Sequence, residues 1–104
     1  MSSLFTQGAL LLAPMAGIND PVFRSICKRM GAGLTYTEMI SAKGLEYKSA
    51  KTAALLYMGD DEKPVAVQLF GKDPQTLAGQ AQLLEDRHGA DIALIDINMG
   101  CPAR

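Results

Sequence analysis

The residues with the clearest capacity for chemistry lie in a short segment, Asn98-Met99-Gly100-Cys101-Pro102, directly after an apolar run. Cys101 stands between a glycine and a proline, which predicts a loop where a thiol reaches a bound substrate. A thiol of ordinary acidity is mostly protonated at neutral pH, so Cys101 is able to act as a proton donor. The alternative is that Cys101 is a small hydrophobic residue without a chemical role.

Two further polar residues lie at predicted strand ends. Gln68 is the one polar residue in the run Val65 to Phe70, and its amide can both donate and accept, as the edge of an isoalloxazine or uracil ring requires. The alternative is a structural role, since a buried amide without a partner costs about 1–3 kcal/mol. Glu38 is able to contact a ligand or to pair with a basic residue, and the structural role is favoured.

The segment Pro14, Met15, Ala16 and Gly17 has no charge and little side-chain bulk. Its backbone is able to lie against a flat aromatic ligand, with Met15 packed softly on the ring. Taken alone, the segment is better interpreted as a tight turn between a strand and a helix.

Other reactive residue types are not expected to take part in chemistry. Cys27 lies on an apolar helix face and is predicted to belong to the core. His88 is the only histidine and closes a predicted helix at the end away from the site. No metal site is expected, because no His and Cys residues have metal-ligand spacing, and no Ser-His-Asp triad can be assembled.

The elements that position these residues alternate between strand and helix. Short apolar or β-branched runs predict four strands, at residues 9–13, 34–37, 65–70 and 92–97. Helical spacing predicts three helices, at residues 21–30, 43–58 and 74–88. The first carries an apolar face, listed in chain order as Val22, Phe23, Ile26, Cys27 and Met30.

Capping signals mark the starts of two helices. Pro21 follows Asn19 and Asp20, either of which is able to cap the first helix, and Pro74 follows Asp73 in the same way. The start of the middle helix is ambiguous. Gly31 ends the first helix, and Gly89 ends the last.

Strand and helix units of roughly 25–30 residues predict a parallel α/β fold. A doubly wound sheet usually has a G-x-G-x-x-G loop after its first strand, and Pro14 to Gly17 does not match that pattern. We therefore expect the N-terminal part of a (β/α)8 TIM barrel, whose active site forms at the carboxyl ends of the strands. Such a barrel needs about 250 residues, so we expect residues 1–104 to be one partial domain, truncated after its fourth strand.

Composition agrees with a packed protein, since 48% of the 104 residues are hydrophobic and 20% are charged. The net charge is -1 and no basic stripe is present, so any nucleic acid would be held mainly by other parts. Two isolated cysteines favour a reducing, cytoplasmic location. Neither a signal peptide nor an apolar stretch of about 20 residues is found, so no membrane contact is expected.

Four segments together resemble the bacterial tRNA-dihydrouridine synthases in order and spacing. They are LAPMAGINDPVFR, GAGLTYTEMISAKGL, VAVQLFGKDPQTLA and GADIALIDINMGCPAR. The resemblance implies an FMN enzyme that takes hydride from NADPH and passes it to C6 of a uracil in tRNA. By matching position, Pro14, Met15 and Ala16 would lie against FMN and Gln68 would hydrogen-bond the flavin. Asn98 would hold the uracil and the flavin, and Cys101 would protonate C5.

The resemblance also implies what the 104 residues lack: the later barrel strands and a C-terminal helical RNA-binding domain. We therefore expect little or no synthase activity from this chain alone. Two alternatives remain. One is a flavin barrel acting on a free pyrimidine, such as a dihydroorotate or dihydropyrimidine dehydrogenase. The other is a non-catalytic fragment that associates through its open sheet edges.

Overall fold

The computed structural model describes residues 5–101 and shows a four-stranded parallel sheet. The strands are β1 (Leu11–Leu12), β2 (Leu34–Ser41), β3 (Val65–Phe70) and β4 (Ile92–Ile97). Each strand pairs in parallel with the next one along the chain. The predicted α/β class is confirmed.

The strand order separates the two architectures that the sequence allows. A doubly wound sheet places strands on both sides of its first strand. Here every new strand adds to the same side, giving the order β1-β2-β3-β4, as in a (β/α)8 barrel. The chain therefore has the arrangement of the first four strands of such a barrel.

Two strands differ in length from their predictions. β1 covers only Leu11–Leu12, because only these residues have partners on β2. β2 continues beyond Thr37 to Ser41, because its last three residues pair with β3 from Gln68 onwards. Pairing between strands, rather than local composition, sets both lengths.

Four helices accompany the sheet: α1 (Pro21–Arg29), α2 (Ala42–Glu46), α3 (Ala50–Ala54) and α4 (Pro74–His88). The starts of α1 and α4 are confirmed, since Asp20 accepts from the Phe23 N–H at 2.8 Å and Asp73 from the Gln75 N–H at 2.9 Å. Asn19 does not cap α1. No helix within residues 5–101 is long and apolar enough to cross a membrane.

The prediction of one helix over residues 43–58 is wrong. The chain forms two short helices instead, because Ser41 caps the first and Ser49 caps the second. The Ser41 hydroxyl accepts from the Gly44 N–H at 3.0 Å, and the Ser49 hydroxyl accepts from the Thr52 N–H at 3.3 Å. Between the two helices Lys48 takes a left-handed conformation with φ of 57°, which turns the chain.

Gly44 allows α2 and α3 to pack closely. A Cβ atom at this position would lie 2.5 Å from Oγ1 of Thr52, which is far shorter than a van der Waals contact. The glycine that weakened the helix prediction is thus a packing requirement of the helix pair.

The hydrophobic core lies between the sheet and the helices. Its buried centre consists of Ile40, Val67, Leu69 and Leu84, and partly buried residues of α2, α4, β4 and the segment after α3 pack around it. Since alternate residues of a strand point to opposite faces, Val67 and Leu69 direct the intervening Gln68 away from this core.

The prediction that α1 buries an apolar face is wrong for most of that face. Val22 and Met30 are 68% and 82% exposed, and Cys27 is half-buried instead of lying in the core. The residues that α1 buries are Arg24 and Ser25. The helix turns this side inward because the loop before β3 supplies polar partners for it.

The main partner of Arg24 is Glu62. Nε of Arg24 lies 2.7 Å from Oε1 of Glu62, and both side chains are at most 2% exposed. The guanidinium also donates to the carbonyl oxygens of Asn19, at 2.7 Å, and Tyr57, at 2.9 Å. One buried cation therefore joins the start of α1 to the loop before β3.

Replacement of Arg24 by alanine is expected to lower the free energy of unfolding by about 3–5 kcal/mol, because it leaves the Glu62 charge buried without its cation. Urea denaturation followed by circular dichroism measures the loss. Lys63→Ala is the control, since Lys63 pairs with Asp60 and Asp91 near the surface and its replacement should cost much less stability. Equal losses in the two variants would contradict a special role for the buried pair.

Candidate active site

Most of the predicted site residues lie at one end of the sheet. In a parallel sheet the carboxyl ends of all strands meet at the same edge. Pro14, Met15 and Ala16 follow β1, Gln68 lies near the end of β3, and Asn98 directly follows β4. The fold therefore brings segments that are distant in sequence to a common edge.

Gln68 lies on the sheet face opposite the helices and is only 6% exposed. The β3–β4 register places Asp96 beside it. Nε2 of Gln68 donates to Oδ2 of Asp96 at 2.6 Å, and Oε1 of Gln68 accepts from Nδ2 of Asn98 at 3.2 Å. A buried amide is thus held from both sides by side chains of the neighbouring strand and its loop.

Asn98 extends this arrangement to the loop that carries Cys101. Its Oδ1 accepts from the backbone N–H of Gly100 at 3.0 Å and from that of Cys101 at 2.9 Å. The backbone N–H of Asn98 donates to the Leu69 carbonyl oxygen at 2.9 Å, which continues the pairing of β3 and β4 by one residue. Cys101 itself is exposed, and Pro102 lies outside the described residues.

The segment after β1 is anchored to β2. The Gly17 N–H donates to Oε1 of Glu38 at 2.5 Å, so Glu38 contacts backbone instead of a basic side chain. Gly17 has φ of +76°, a conformation that glycine adopts at little cost. Pro14 and Met15 are half-buried and Ala16 is exposed in this turn.

Asn19 is a structural residue that the sequence suggested only as a helix cap. It is fully buried, and its Nδ2 donates to the carbonyl oxygens of Ala13, at 2.8 Å, and Tyr36, at 3.0 Å. The side chain therefore ties the end of β1 to β2 and fixes the path of the Pro14 to Gly17 segment.

From sequence, Asp96 lies at the end of the fourth predicted strand but was given no role, and Tyr36, which is affected by the charge of Asp96, was given none either. Asp96 is the only charged residue in the run Ile92 to Ile97, and it lies two residues before Asn98. Side chains two residues apart on a strand point to the same face, so Asp96 and Asn98 are expected on one side of the sheet. This signal could have identified Asp96. Tyr36 had no such signal, because an aromatic residue in a strand is usually explained by packing.

Tyr36 has a pKa above the ordinary value for tyrosine. Burial disfavours the charged phenolate, and the negative charge of Asp96 repels it further. The phenol therefore stays protonated well into the alkaline range.

The donor groups at this edge fit the rim of a flat heterocycle. After its two contacts Gln68 retains one amide hydrogen and one lone pair, and these match the alternating N–H and C=O groups of such a ring. Open space lies beside Gly17 and Gly100, since a Cβ built at either would meet no atom within 4 Å. The residues present are therefore compatible with a ring laid against the strand ends.

His88, the only histidine of the chain, lies away from the strand ends that carry these residues. It ends α4 and lines a cavity of about 190 Å³ together with Lys48 and Arg87. Among residues 5–101, no three His, Cys, Asp or Glu side chains come together as a metal site.

Sequential parallel strands with a polar cluster at their carboxyl ends define a protein of the α/β barrel class, in which active sites form at the strand ends. The sequence model of the dihydrouridine synthase (Dus) family matches residues 11–104. The chain belongs to this family, which confirms the resemblance found in the sequence.

Individual relatives agree with the family match. The chain is 44% identical over 95 residues to a tRNA-dihydrouridine synthase B of Xanthomonas campestris pv. campestris and to one of Pseudomonas aeruginosa, each match covering 91% of the chain. It is 38% identical over 97 residues, 93% of its length, to a probable tRNA-dihydrouridine synthase of Aquifex aeolicus. The matches span 28%, 28% and 30% of these relatives' own lengths.

The raised pKa of Tyr36 predicts how stability changes with pH. Below the ordinary tyrosine pKa of about 10, folded and unfolded chains both keep the proton. Between that value and the raised pKa only the unfolded chain loses it, so stability falls as pH rises through this window.

We expect Asp96→Asn to lower the pKa of Tyr36 without returning it to the ordinary value, because burial remains. Ultraviolet absorbance of the phenolate during a pH titration measures the change. Tyr36→Phe identifies the transition by removing it. A Tyr36 transition at the same pH with and without the Asp96 charge would contradict the electrostatic cause.

Proposed function

We propose that this chain supplies the first four strands of the catalytic barrel of an FMN-dependent tRNA-dihydrouridine synthase. The observation that carries the proposal is the hydrogen-bonded series from Cys101 through Asn98 to Gln68. It connects the residue suited to proton donation with the residue suited to a flavin edge. Family membership and the relatives' names support the same activity.

FMN, when bound, supplies the hydride that reduces the C5–C6 bond of a uracil, and NADPH serves as the reductant. Pro14, Met15 and Ala16 form a smooth surface against the ring, since they present little bulk and no charge. Gln68 directs its free amide hydrogen and lone pair to the ring edge. These residues bind and orient the cofactor, while the protein leaves the difficult redox chemistry to it.

Cys101 and Asn98 act on the substrate in this proposal. The exposed thiol of Cys101 donates its proton to C5 of the uracil. Asn98 holds the loop of Cys101 through two backbone hydrogen bonds and keeps one amide hydrogen for the uracil or flavin. The uridine must leave its base stack to reach these groups, as in other enzymes that modify bases.

The grip on tRNA comes mainly from parts outside this chain. Ten basic and eleven acidic residues give a net charge of -1, which provides little attraction for phosphates. We further propose a cytoplasmic location, in agreement with tRNA as substrate and with unpaired cysteines.

The flavin contact is tested by titrating FMN with the purified chain and following flavin fluorescence. We expect saturable binding that Gln68→Ala weakens about two- to tenfold, the value of one neutral hydrogen bond. Gln82→Ala is the matched control, because Gln82 lies exposed on α4 and contacts Asp86. Equal affinity of the Gln68→Ala variant and the unchanged chain would overturn the assignment of Gln68.

The role of Cys101 is tested in a chimera in which residues 1–104 replace the matching segment of the Pseudomonas aeruginosa relative. Cys101→Ala is expected to lower dihydrouridine formation in tRNA by about 100-fold or more, the usual contribution of a general acid. FMN content should not change. Cys27→Ala, which removes the half-buried cysteine of α1, should retain activity.

Mass spectrometry of digested tRNA provides the measurement. Unmodified tRNA should be reduced while free uracil and orotate are not, and the 104-residue chain alone should form little dihydrouridine. Preferential reduction of a free pyrimidine would contradict this proposal and would favour a dihydroorotate or dihydropyrimidine dehydrogenase instead.

A further inference from the structure

Asp96 is a charged side chain of the site to which the proposed function gives no task. It lies on β4 opposite Gln68, on the sheet face turned away from the helices. The contact between its Oδ2 and Nε2 of Gln68, at 2.6 Å, is the shortest of the side-chain contacts in the series that leads to Cys101. A short hydrogen bond to a charged group is about twice as strong as a neutral one.

The two ends of this series determine the orientation of both amides between them. An ionised carboxylate only accepts hydrogen bonds, so the NH2 group of Gln68 must face Asp96. Backbone N–H groups only donate, so the carbonyl oxygen of Asn98 must face Gly100 and Cys101. The remaining contact, from Nδ2 of Asn98 to Oε1 of Gln68, then forms with the correct polarity.

Without Asp96 only the contact with Asn98, at 3.2 Å, opposes the reversed orientation of the Gln68 amide. The Gln68 amide could rotate by half a turn and exchange its donor and acceptor. Such a rotation would place two NH2 groups against each other at the contact with Asn98. It would also reverse the pattern that Gln68 presents to a ring.

We propose that Asp96 is a positioning residue that fixes the orientation of the Gln68 amide and, through Asn98, the loop of Cys101. The proposal rests on the proposed function, because Gln68 is taken to contact the flavin. Together with Asn98, the carboxylate thereby determines whether the free hydrogen or the free lone pair of Gln68 meets a given position of the ring.

The first experiment is a double-mutant cycle in the FMN titration, with Asp96→Asn, Gln68→Ala and both changes together. Asp96→Asn preserves shape and removes charge. We expect it to weaken FMN binding roughly three- to tenfold, and by no more than Gln68→Ala does. In the Gln68→Ala chain it should have no further effect, because its action passes through that amide. Equal losses in the two backgrounds would overturn the proposal.

The second experiment does not depend on flavin. In nuclear magnetic resonance spectra of the chain, the side-chain NH2 signals of Gln68 are assigned by their loss in Gln68→Ala. One of the two protons should be shifted downfield by the carboxylate, and Asp96→Asn should remove that shift. Asp86→Asn, which alters the equivalent contact of the exposed Gln82, is the matched control and should leave the Gln68 signals unchanged.

The two readouts separate the possible failures. If the unchanged chain does not bind FMN, the flavin site requires elements in addition to these four strands, and the resonance experiment alone decides on Asp96. If FMN binds and Asp96→Asn changes neither its affinity nor the Gln68 signals, the positioning role is wrong while the proposed function stands. Circular dichroism of each variant confirms that the comparison is made between folded chains.

Discussion

The parallel pairing of β3 with β4 is the constraint on which the candidate site depends. Its register places Asp96 beside Gln68. The backbone N–H of Asn98 adds one more hydrogen bond between the two segments, to the carbonyl oxygen of Leu69. A shift of β4 by one residue along β3 would turn Asp96 towards the helices while Gln68 kept its face, because the side-chain period of a strand is two. Burial of Val67 and Leu69 against Leu84 prevents such a shift, so the apolar core on one face fixes the polar series on the other.

Around β1, polar contacts instead of an apolar core hold the chain in place. β1 itself has only two paired residues, too few to hold the loop that follows it. Asn19 and Glu38 compensate by joining that loop to β2, and the buried pair of Arg24 and Glu62 holds the start of α1. Removing one partner of such a pair is costly because the other remains buried and unpaired.

The chain contains groups suited to orienting a ring and to donating a proton. Its net charge of -1 gives it little attraction for a polyanion. This separation is physically reasonable. Ring orientation depends on a few short contacts held by rigid strands, whereas affinity for nucleic acid depends on many charges spread over a large surface. The two tasks place different demands on composition and can therefore be assigned to different parts of a protein.

The sequence by itself determined the order of strands and helices, the starts of α1 and α4 and the loop of Cys101, because these depend on local signals such as aspartate before proline. It also brought Gln68, Asn98 and Cys101 to attention through residue type. It did not predict the division at Ser49, the buried side of α1 or the part of Asp96 in the site. The last two features depend on partners distant in the chain: Glu62 meets Arg24, and Asp96 meets Gln68 only once β3 and β4 are paired. The division at Ser49 depends on the packing of Thr52 against Gly44. Only the tertiary structure fixes such contacts, since a polar side chain takes the orientation in which its hydrogen bonds are satisfied.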